Sequence, residues 1–570
     1  WTQYRVTHLQ DHRDIKFIWE ASRFCWATTL ARAYLISQDE RYSLAFWNYV
    51  DDFLTANTAY LGLNWVSAQE VAIRLTCLVF AYQILAASPH STLPQVSRLS
   101  ESIAQHAARI PPSLIYARAQ NNNHLLSESM GLITAARALP SHPSADQWHA
   151  LGWKWYHQGL QTQISADGNY TQHSTNYHRL MLQTALWVNL VAQTLGKPFP
   201  EKSTERLAAA TRWLLSLLDP LSGCVPNLGP NDVAYIFPLS VLPFQDFRPV
   251  IQAAANAFAG APVLPDGIWD EMSLWLCDKS HVTTPTVNEH RVADKKLPAQ
   301  KSAEAPPHIL KSPCQSWTYL RIAHFTSRPG HADQLHLDLW WRGLNIALDP
   351  GTYLYNAPAP WDNSLTSTFV HNTVTVNELE QMRRVSRFLY LDWAQGEVRR
   401  YHYDQDGSLC GLTACHDGYR RVGVLHQRLV VANPDGWKIE DALFAQKMKS
   451  AITPARCRLH WLLPDWDWEL DKLEREIELK THSPFGWIKI QILVECLSKE
   501  LGLVQPPVVT LVRAGQILAP QGETSVQTHP TWGWVSPTYG VKVPALSLSV
   551  KASGGLPLVF ITKWQFPSER

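Results

Sequence analysis

The amino-acid sequence predicts an α+β multidomain chain, with an amino-terminal domain of helices followed by a carboxy-terminal domain of antiparallel strands. Three observations lead there. The chain has 570 residues, more than one hydrophobic core serves, so two domains are expected. The hydrophobic period changes along it, from helical spacing between about residue 20 and about residue 280 to strand alternation in the second half. At the change lies TVNEHRVADKKLPAQKSAEAPPHIL, polar, charged and proline-bearing, with the composition of a connection between domains. The expected division is 1–285 for the helical domain, 286–310 for the linker and 311–570 for the sheets.

Among the helices, SAQEVAIRLTCLVFAYQILAAS opens with Ser67 and Glu70 at capping-box spacing and continues as a long apolar run. Further on, Leu207, Ala210, Leu214 and Leu217 recur at i, i+3, i+7 and i+10. Short breaks (SPHSTLP, LPSHPSAD, LGKPFP, DPLSG) separate the segments, as in helical hairpins that stack into a solenoid or close into a ring. Beyond the linker, HLDLWW, HNTVTV, RLVVANPDGWKIED, CRLHWLLP, WIKIQILVEC and ALSLSVKASGGLPLVFITKW have strand character, with NPDG and SGG as turns. Many antiparallel strands in succession predict a sandwich.

Composition narrows the function. Lys+Arg number 50 against 49 Asp+Glu, so no overall basic field marks nucleic acid as a partner, although a local basic groove is compatible. Nine cysteines are scattered without a CxxC pair and read as reduced, mostly buried thiols. There is no uninterrupted apolar span of transmembrane length. The opening WTQYRVTHLQDHRDIKF lacks the layout of a secretory signal; the expectation is a periplasmic or secreted protein if a leader has been removed, and a cytoplasmic one otherwise. Twenty-five tryptophans suit a carbohydrate-binding surface as well as core packing.

Three stretches carry residues with chemistry. In NNNHLLSE, Asn123 sits where an N-cap belongs, but three asparagines exceed what one cap needs. An amide and the His124 imidazole at a positive helix terminus form a receptor for a carboxylate. In DGNYTQHSTNYHR, Ser174 or Thr175 can cap a helix whose first turn holds Tyr177. Tyr177, Leu180, Thr184, Trp187 and Val191 share one stripe, which reads equally as core. In RPGHADQLHLDLWWRGLNIALDPGTYLYN and HNTVTV, His331, Asp349 and His371 are two imidazoles and a carboxylate suited to a divalent metal. A hairpin turning at Arg342-Gly343-Leu344-Asn345 places Asp349 opposite roughly Asp338 rather than His331, and isolated strand histidines are usually structural. The loops WDNS, with Trp361, and PNLGPND, with Asn227, Asn231 and Asp232, have the look of site-lining segments. For Trp361, Trp340 and Trp341, sheet packing is the competing reading; for Arg13, Lys16 and Arg23, a solvated helix face competes with an anionic partner.

Taken together, NNNHLLSE, DGNYTQHSTNYHR, PNLGPND, the GHADQ to TYLYN segment and HNTVTV resemble the heparinase II/III family of polysaccharide lyases, which includes alginate and glycosaminoglycan lyases. The resemblance runs from about residue 13 to the last strands in the same order. It implies an incomplete α/α toroid followed by an antiparallel β-sandwich, with a cleft between them for an acidic polysaccharide. It further implies that Asn123 and His124 match the family's Asn-His pair, that Tyr177 matches the catalytic tyrosine, and that His331, Asp349 and His371 match a metal site. That site usually holds zinc, in preference to manganese or calcium, in a mainly structural role. One departure is Pro329, where many relatives carry a histidine that helps neutralise the substrate; Arg328, Gln334 and His336 are the candidates to replace it.

The implied chemistry is β-elimination on a uronic acid residue of hyaluronan, chondroitin or heparan sulfate, ahead of alginate. Asn123 and the helix dipole would stabilise the enolate-like state of the carboxylate. Tyrosine has a free pKa of about 10, so His124 or Arg179 is expected to help Tyr177 act as base. Two alternatives compete. A toroid glycoside hydrolase needs two carboxylates flanking the bond, and Glu128 and Asp167 form no evident pair. A noncatalytic acidic-polysaccharide-binding protein is kept open by Pro329. The sequence leaves the oligomeric state open.

Overall fold

The computed structural model describes residues 14–277, 308–446, 454–499, 501–520 and 528–567. Arg13 and nearly all of the expected 286–310 linker lie outside them. The chain divides into two units: Trp1–Gln172, Asn176–Leu218 and Val233–Pro306 form the first, and His173–Thr175, Asp219–Asp232 and Pro307–Arg570 the second. Two short stretches from the sequence-predicted helical half, 173–175 and 219–232, thus belong with the strands.

The first unit is helical. Ala68–Leu85 is buried almost all round and is long and apolar enough to cross a membrane by length and composition, with 83% of that window buried inside the fold. Its start differs from the expected capping box. Ser67 is the N-cap but makes no side-chain cap bond; Glu70 instead accepts from Arg23 Nε (2.6 Å) and Nη2 (2.9 Å) in a buried pair. Arg23 is therefore a core cation, not a surface charge awaiting a polyanion. The expected stripe of Leu207, Ala210, Leu214 and Leu217 is fully buried on and just beyond Glu201–Ser216. The turn Asp167-Gly168 docks on this helix. Gly168 has φ +92°, and a Cβ there would stand 2.2 Å from the Ala209 carbonyl, so only glycine fits.

The second unit is built of antiparallel ladders. An eight-stranded sheet runs Trp468–Leu473, Glu476–Ser483, Gly486–Cys496, Leu558–Gln565, Gly436–Ala445, Val424–Asn433, Leu409–His416, Gly396–Tyr403. A five-stranded sheet runs Gln516–Ala519, Val508–Arg513, Leu546–Gly554, Ala455–Leu463, Val374–Val376. A four-stranded sheet keeps sequence order from Ile309–Ser312 to Leu344–Ala347. Val430, Ile439 and Ile490 of the first, Leu459 and Leu548 of the second, and Leu337 and Trp341 of the third share one hydrophobic core, as strand alternation requires of sheets packed face to face. The hairpin around Gly343 turns on two residues, Arg342 and Gly343, both with positive φ. This is the backbone a two-residue hairpin loop demands, and it is tighter than the four-residue turn expected. All nine cysteines are free, four of them buried.

Glu70→Gln leaves the Arg23 guanidinium buried with one charged partner fewer. Loss of one member of such a pair costs about 3–5 kcal/mol, so the midpoint of the helical unit's unfolding in denaturant, followed by far-ultraviolet circular dichroism, is expected to drop; an unchanged midpoint would deny the pair that role.

Candidate active site

The asparagine run serves two helices. Asn121 ends Leu114–Gln120 in the left-handed region at φ 44°, a conformation asparagine tolerates. Asn122, extended, is the N-cap of Asn123–Ala138, its side chain accepting from the His124 N–H at 3.1 Å. Asn123 is therefore the first helical residue, one position later than expected, which releases its amide from capping. Its own N–H donates to Gln172 Oε1 at 2.9 Å, and Gln163 Nε2 donates to the Asn122 carbonyl at 3.0 Å. Gln163 in turn accepts from the Tyr170 hydroxyl. The loop that precedes Tyr177 is thereby tied to the start of the Asn123 helix.

Tyr177 lies in the first turn of Thr175–Thr194. A second cross-link sets the two helices in register: Trp187 Nε1 donates to Thr134 Oγ1 at 2.8 Å. Thr134 and Trp187 each lie about 15 Å along their helix from Asn123 and Tyr177, at 1.5 Å per residue. With Gln172 joining the starts, the two helices run the same way and their amino termini share one end of the unit. Tyr177 is 8% exposed, the most exposed member of a stripe whose other residues range from 0 to 5%. His124 has a side chain 28% exposed and its Nδ1 3.7 Å from Glu128 Oε1, one turn along; the other Glu128 oxygen accepts from Ser113. Glu128 thus orients His124, and Asp167 closes its own turn with Ser165 and Asn169, so neither is a free carboxylate of a hydrolytic pair.

Arg179 is elsewhere. Residues two apart on a helix do not face each other, and the Arg179 guanidinium packs within 4.0–4.5 Å of the Phe244, Phe247 and Tyr235 rings. It also donates to Asn176 and to the Phe244 carbonyl. Burial lowers it to about 10, and it supports that corner of the unit, not the tyrosine.

In the second unit three fully buried side chains converge. His331 comes from the loop before Leu337–Trp341, Asp349 follows Leu344–Ala347, and His371 follows the 3-10 turn Thr368–Val370. One ligand-type atom from each lies within 4.8 Å of the others. His331 Nδ1 and His371 Nε2 are 3.2 Å apart, and His371 Nε2 is 3.8 Å from Asp349 Oδ2. Donors about 2.0–2.2 Å from a tetrahedral ion stand roughly 3.4 Å apart, so the spacing suits one. His371 Nδ1 is 2.7 Å from the Ser367 carbonyl, which can only accept, so Nδ1 carries the proton and Nε2 presents its lone pair. Burial and the neighbouring His371 push His331 down to about 3, leaving it neutral as a ligand must be. Asp349 Oδ1 accepts from Gly351 N–H, while among the described residues Oδ2 has no hydrogen-bond donor; burial raises this carboxyl to about 7. The His-Asp-His group is one that could hold a metal.

The candidates to replace a histidine at Pro329 separate. Gln334 is enclosed, donating to the Ala323 and Ala394 carbonyls. His336 is enclosed too, its Nδ1 accepting from Asn372 N–H while Nε2 lies 3.6–3.7 Å from Asp349 and Asp338. Both are fully buried supports of the loops that carry His331, Asp349 and His371, closed off from a substrate. Arg328 is exposed, 5.9 Å over the Phe388 ring. Asn231 is buried and donates to Asn227 and the Pro537 carbonyl. Trp361 has Lys542 Nζ 3.4 Å over its ring. Trp340 and Trp341 stack on Trp317 and Phe566, the packing reading.

Sequence reasoning passed over the residues that hold the loops of the His-Asp-His group. Arg428 Nη1 donates to the Leu335 and Asn372 carbonyls, both at 2.6 Å, while Nε and Nη2 grip Asp441. Asn372 reaches the Leu337 and Leu348 carbonyls and the Leu462 N–H. A charged Arg inside the alternating strand VLHQRLVVAN was the available signal, since a buried guanidinium needs a partner.

The chain is similar to known proteins in both halves. The family model described as Heparinase II/III N-terminus matches residues 1–231, and that described as Heparinase II/III-like, C-terminal, matches residues 320–555. A heparin-sulfate lyase of Bacteroides stercoris is 24% identical over 186 residues, 29% of this chain and 27% of the relative. Another, of Bacteroides thetaiotaomicron, is 26% identical over 161 residues, 27% of this chain and 22% of the relative. The match thus spans about a quarter of these curated relatives. Among solved structures, a mutant heparan sulfate lyase HepC from Pedobacter heparinus has a TM-score of 0.58 at 17% identity, covering 99% of this chain and 79% of that one. A heparinase III has a TM-score of 0.62 at 16% identity, covering 98% and 79%. At such identities the likeness shows the fold, a helical toroid followed by an antiparallel sandwich.

A divalent metal returned to chelator-treated protein is expected to raise the thermal unfolding midpoint. Binding at a hundredfold the dissociation constant contributes about 2.7 kcal/mol. The reloaded protein is expected to hold about one equivalent of metal by elemental analysis, and His371→Ala should abolish both that and the thermal response; a variant that keeps its ion would remove this cluster as the site.

Proposed function

The chain belongs to the heparinase II/III-like family, and from that premise we propose that it is a polysaccharide lyase that cleaves a glycosaminoglycan of the heparan sulfate type by β-elimination. The observation that carries the reading is the pair of helix starts at one end of the helical unit, one presenting Asn123 and His124, the other Tyr177. The substrate class draws on the two curated relatives, both heparin-sulfate lyases.

Each group has a task. The carboxylate of the uronic acid sits at the amino terminus of Asn123–Ala138, where the Asn123 amide and the helix dipole favour the negative charge that grows as the C5 proton leaves. Tyr177 takes that proton and returns one to the departing C4 oxygen. His124, oriented by Glu128, is assigned to favour the phenolate of Tyr177, or to take the proton itself when base and leaving group lie on opposite faces of the sugar. His331, Asp349 and His371 are a donor set suited to zinc, which when bound would clamp three loops of the second unit together. Arg328 is the exposed cation of the segment where Pro329 replaces the family's histidine. Against a hydrolase stands the commitment of Glu128 and Asp167 to local partners.

Incubation with heparan sulfate should give growing ultraviolet absorbance from the new conjugated double bond; reducing ends without absorbance would mean a hydrolase, and binding with neither a lectin. Tyr177→Phe is expected to lower kcat by about 10²–10⁴ or more, the range of general acid–base catalysis, with polymer affinity retained. A Phe variant of normal rate would refute the role of Tyr177.

A further inference from the structure

The outer face of the five-stranded sheet carries a cavity of about 590 Å³, within the range of small-molecule sites. Its wall follows from strand alternation. On Ala455–Leu463, Cys457 and Leu459 enter the core, so Arg456 and Arg458 point the other way. Arg458 is paired in register with Lys551, and Lys551 with Val508 on the next strand, while Arg456 pairs with Ser553. Two cations therefore stand directly opposite each other with a third two residues along. Like charges so placed destabilise a sheet, and among the described residues that line the cavity Glu378 is the one carboxylate.

Arg458 makes this more than a surface patch. Its residue is 5% exposed, its guanidinium lies 4.2 Å over the Trp532 ring, and Nη1 donates to the Phe369 carbonyl at 2.8 Å. Nε and Nη2, the edge that binds an oxyanion in parallel bonds, are buried and have no hydrogen-bond partner among the described residues. Buried polar groups are as a rule satisfied, and an unpaired guanidinium edge is costly. Burial lowers Arg458 to about 9 and, with Arg458 beside it, lowers Lys551 as well, the penalty that an anion between them would relieve.

We propose that this cavity binds a tetrahedral oxyanion ester carried on a sugar, a sulfate or phosphate monoester, in a second saccharide site on the sandwich. The fork of Arg458 takes two terminal oxygens, Lys551 and Arg456 the third, and Trp532 with Phe369 offers aromatic surface to the sugar ring. The site involves none of the residues assigned to elimination and stands apart from the lyase reading.

The test uses monosaccharides without a uronic acid, which no eliminase can cleave. The intact chain is titrated calorimetrically with N-acetylglucosamine 6-sulfate, N-acetylglucosamine 6-phosphate, unmodified N-acetylglucosamine and inorganic sulfate. One-to-one binding of a 6-ester, at least about tenfold tighter than inorganic sulfate and lost with the unmodified sugar, is expected, and the ester preferred identifies the source. Arg456→Gln with Lys551→Gln should weaken it about tenfold or more, as loss of charged hydrogen bonds implies, without lowering the thermal midpoint, since Arg456 is exposed, Lys551 half-buried, and a like-charge pair is relieved. Failure of both esters to bind, inorganic sulfate binding as tightly, or affinity unchanged in the double variant would each overturn the proposal.

Discussion

A guanidinium taken fully out of water must be given acceptors for its N–H groups, and in the sheet-built unit that requirement is met at Arg428. With Asp441 on one side and the Leu335 and Asn372 carbonyls on the other, it joins the ladder of the eight-stranded sheet to both loops that carry imidazoles of the His-Asp-His group. Its partner is itself anchored: His426 Nε2 lies 2.7 Å from Asp441, and burial, which alone would raise the Asp441 carboxyl, is outweighed by Arg428, which holds it below the ordinary range. Asn372 extends the same logic with its amide, tying the residue next to His371 to the one before Asp349. Truncating either partner would strand a buried charge, the costly half of buried ion-pair energetics.

The helical unit solves a different problem with the same currency. Amino termini of helices leave N–H groups unpaired, and the start of Asn123–Ala138 is finished with two amides, Asn122 and Gln172, rather than charges. Neutral caps leave the positive end of the dipole uncompensated, as a receptor for an anionic substrate needs. Glu128 lies beyond the first turn and spends its charge on His124 and Ser113.

What the sequence disclosed follows the range of the interactions. The switch of period and the stripe on Glu201–Ser216 are legible because each depends on local spacing, whereas the trio of His331, Asp349 and His371, far apart in sequence, is carried by the family resemblance. The Ser67–Glu70 box was not what it looked like, because the partner of Glu70 sits 47 residues earlier at Arg23. The cap moved from Asn123 to Asn122 because Asn121 was needed to end the preceding helix, a choice three identical residues cannot announce. Gln334 and His336 stand as candidates to neutralise the substrate because they lie close in sequence to Pro329, where the family's histidine is missing. Their partners at Ala394 and Asn372 are set by loops that only the fold brings together.

The near-equality of 50 basic and 49 acidic side chains argues less against a polyanionic ligand than it first suggests, because charge acts where it is left unpaired. Arg23, Arg179 and Arg428 are spent inside the fold on a glutamate, an aromatic cage and an aspartate, and Arg98 and Arg513 are spent at the surface on Asp51 and Asp465. Screening at physiological salt confines the field of any exposed group to about 8 Å, so a polysaccharide senses only the handful of groups within that distance. Three cations on one sheet face and one uncompensated helix terminus therefore each act within their own neighbourhood, and the sum over the whole chain is silent about both.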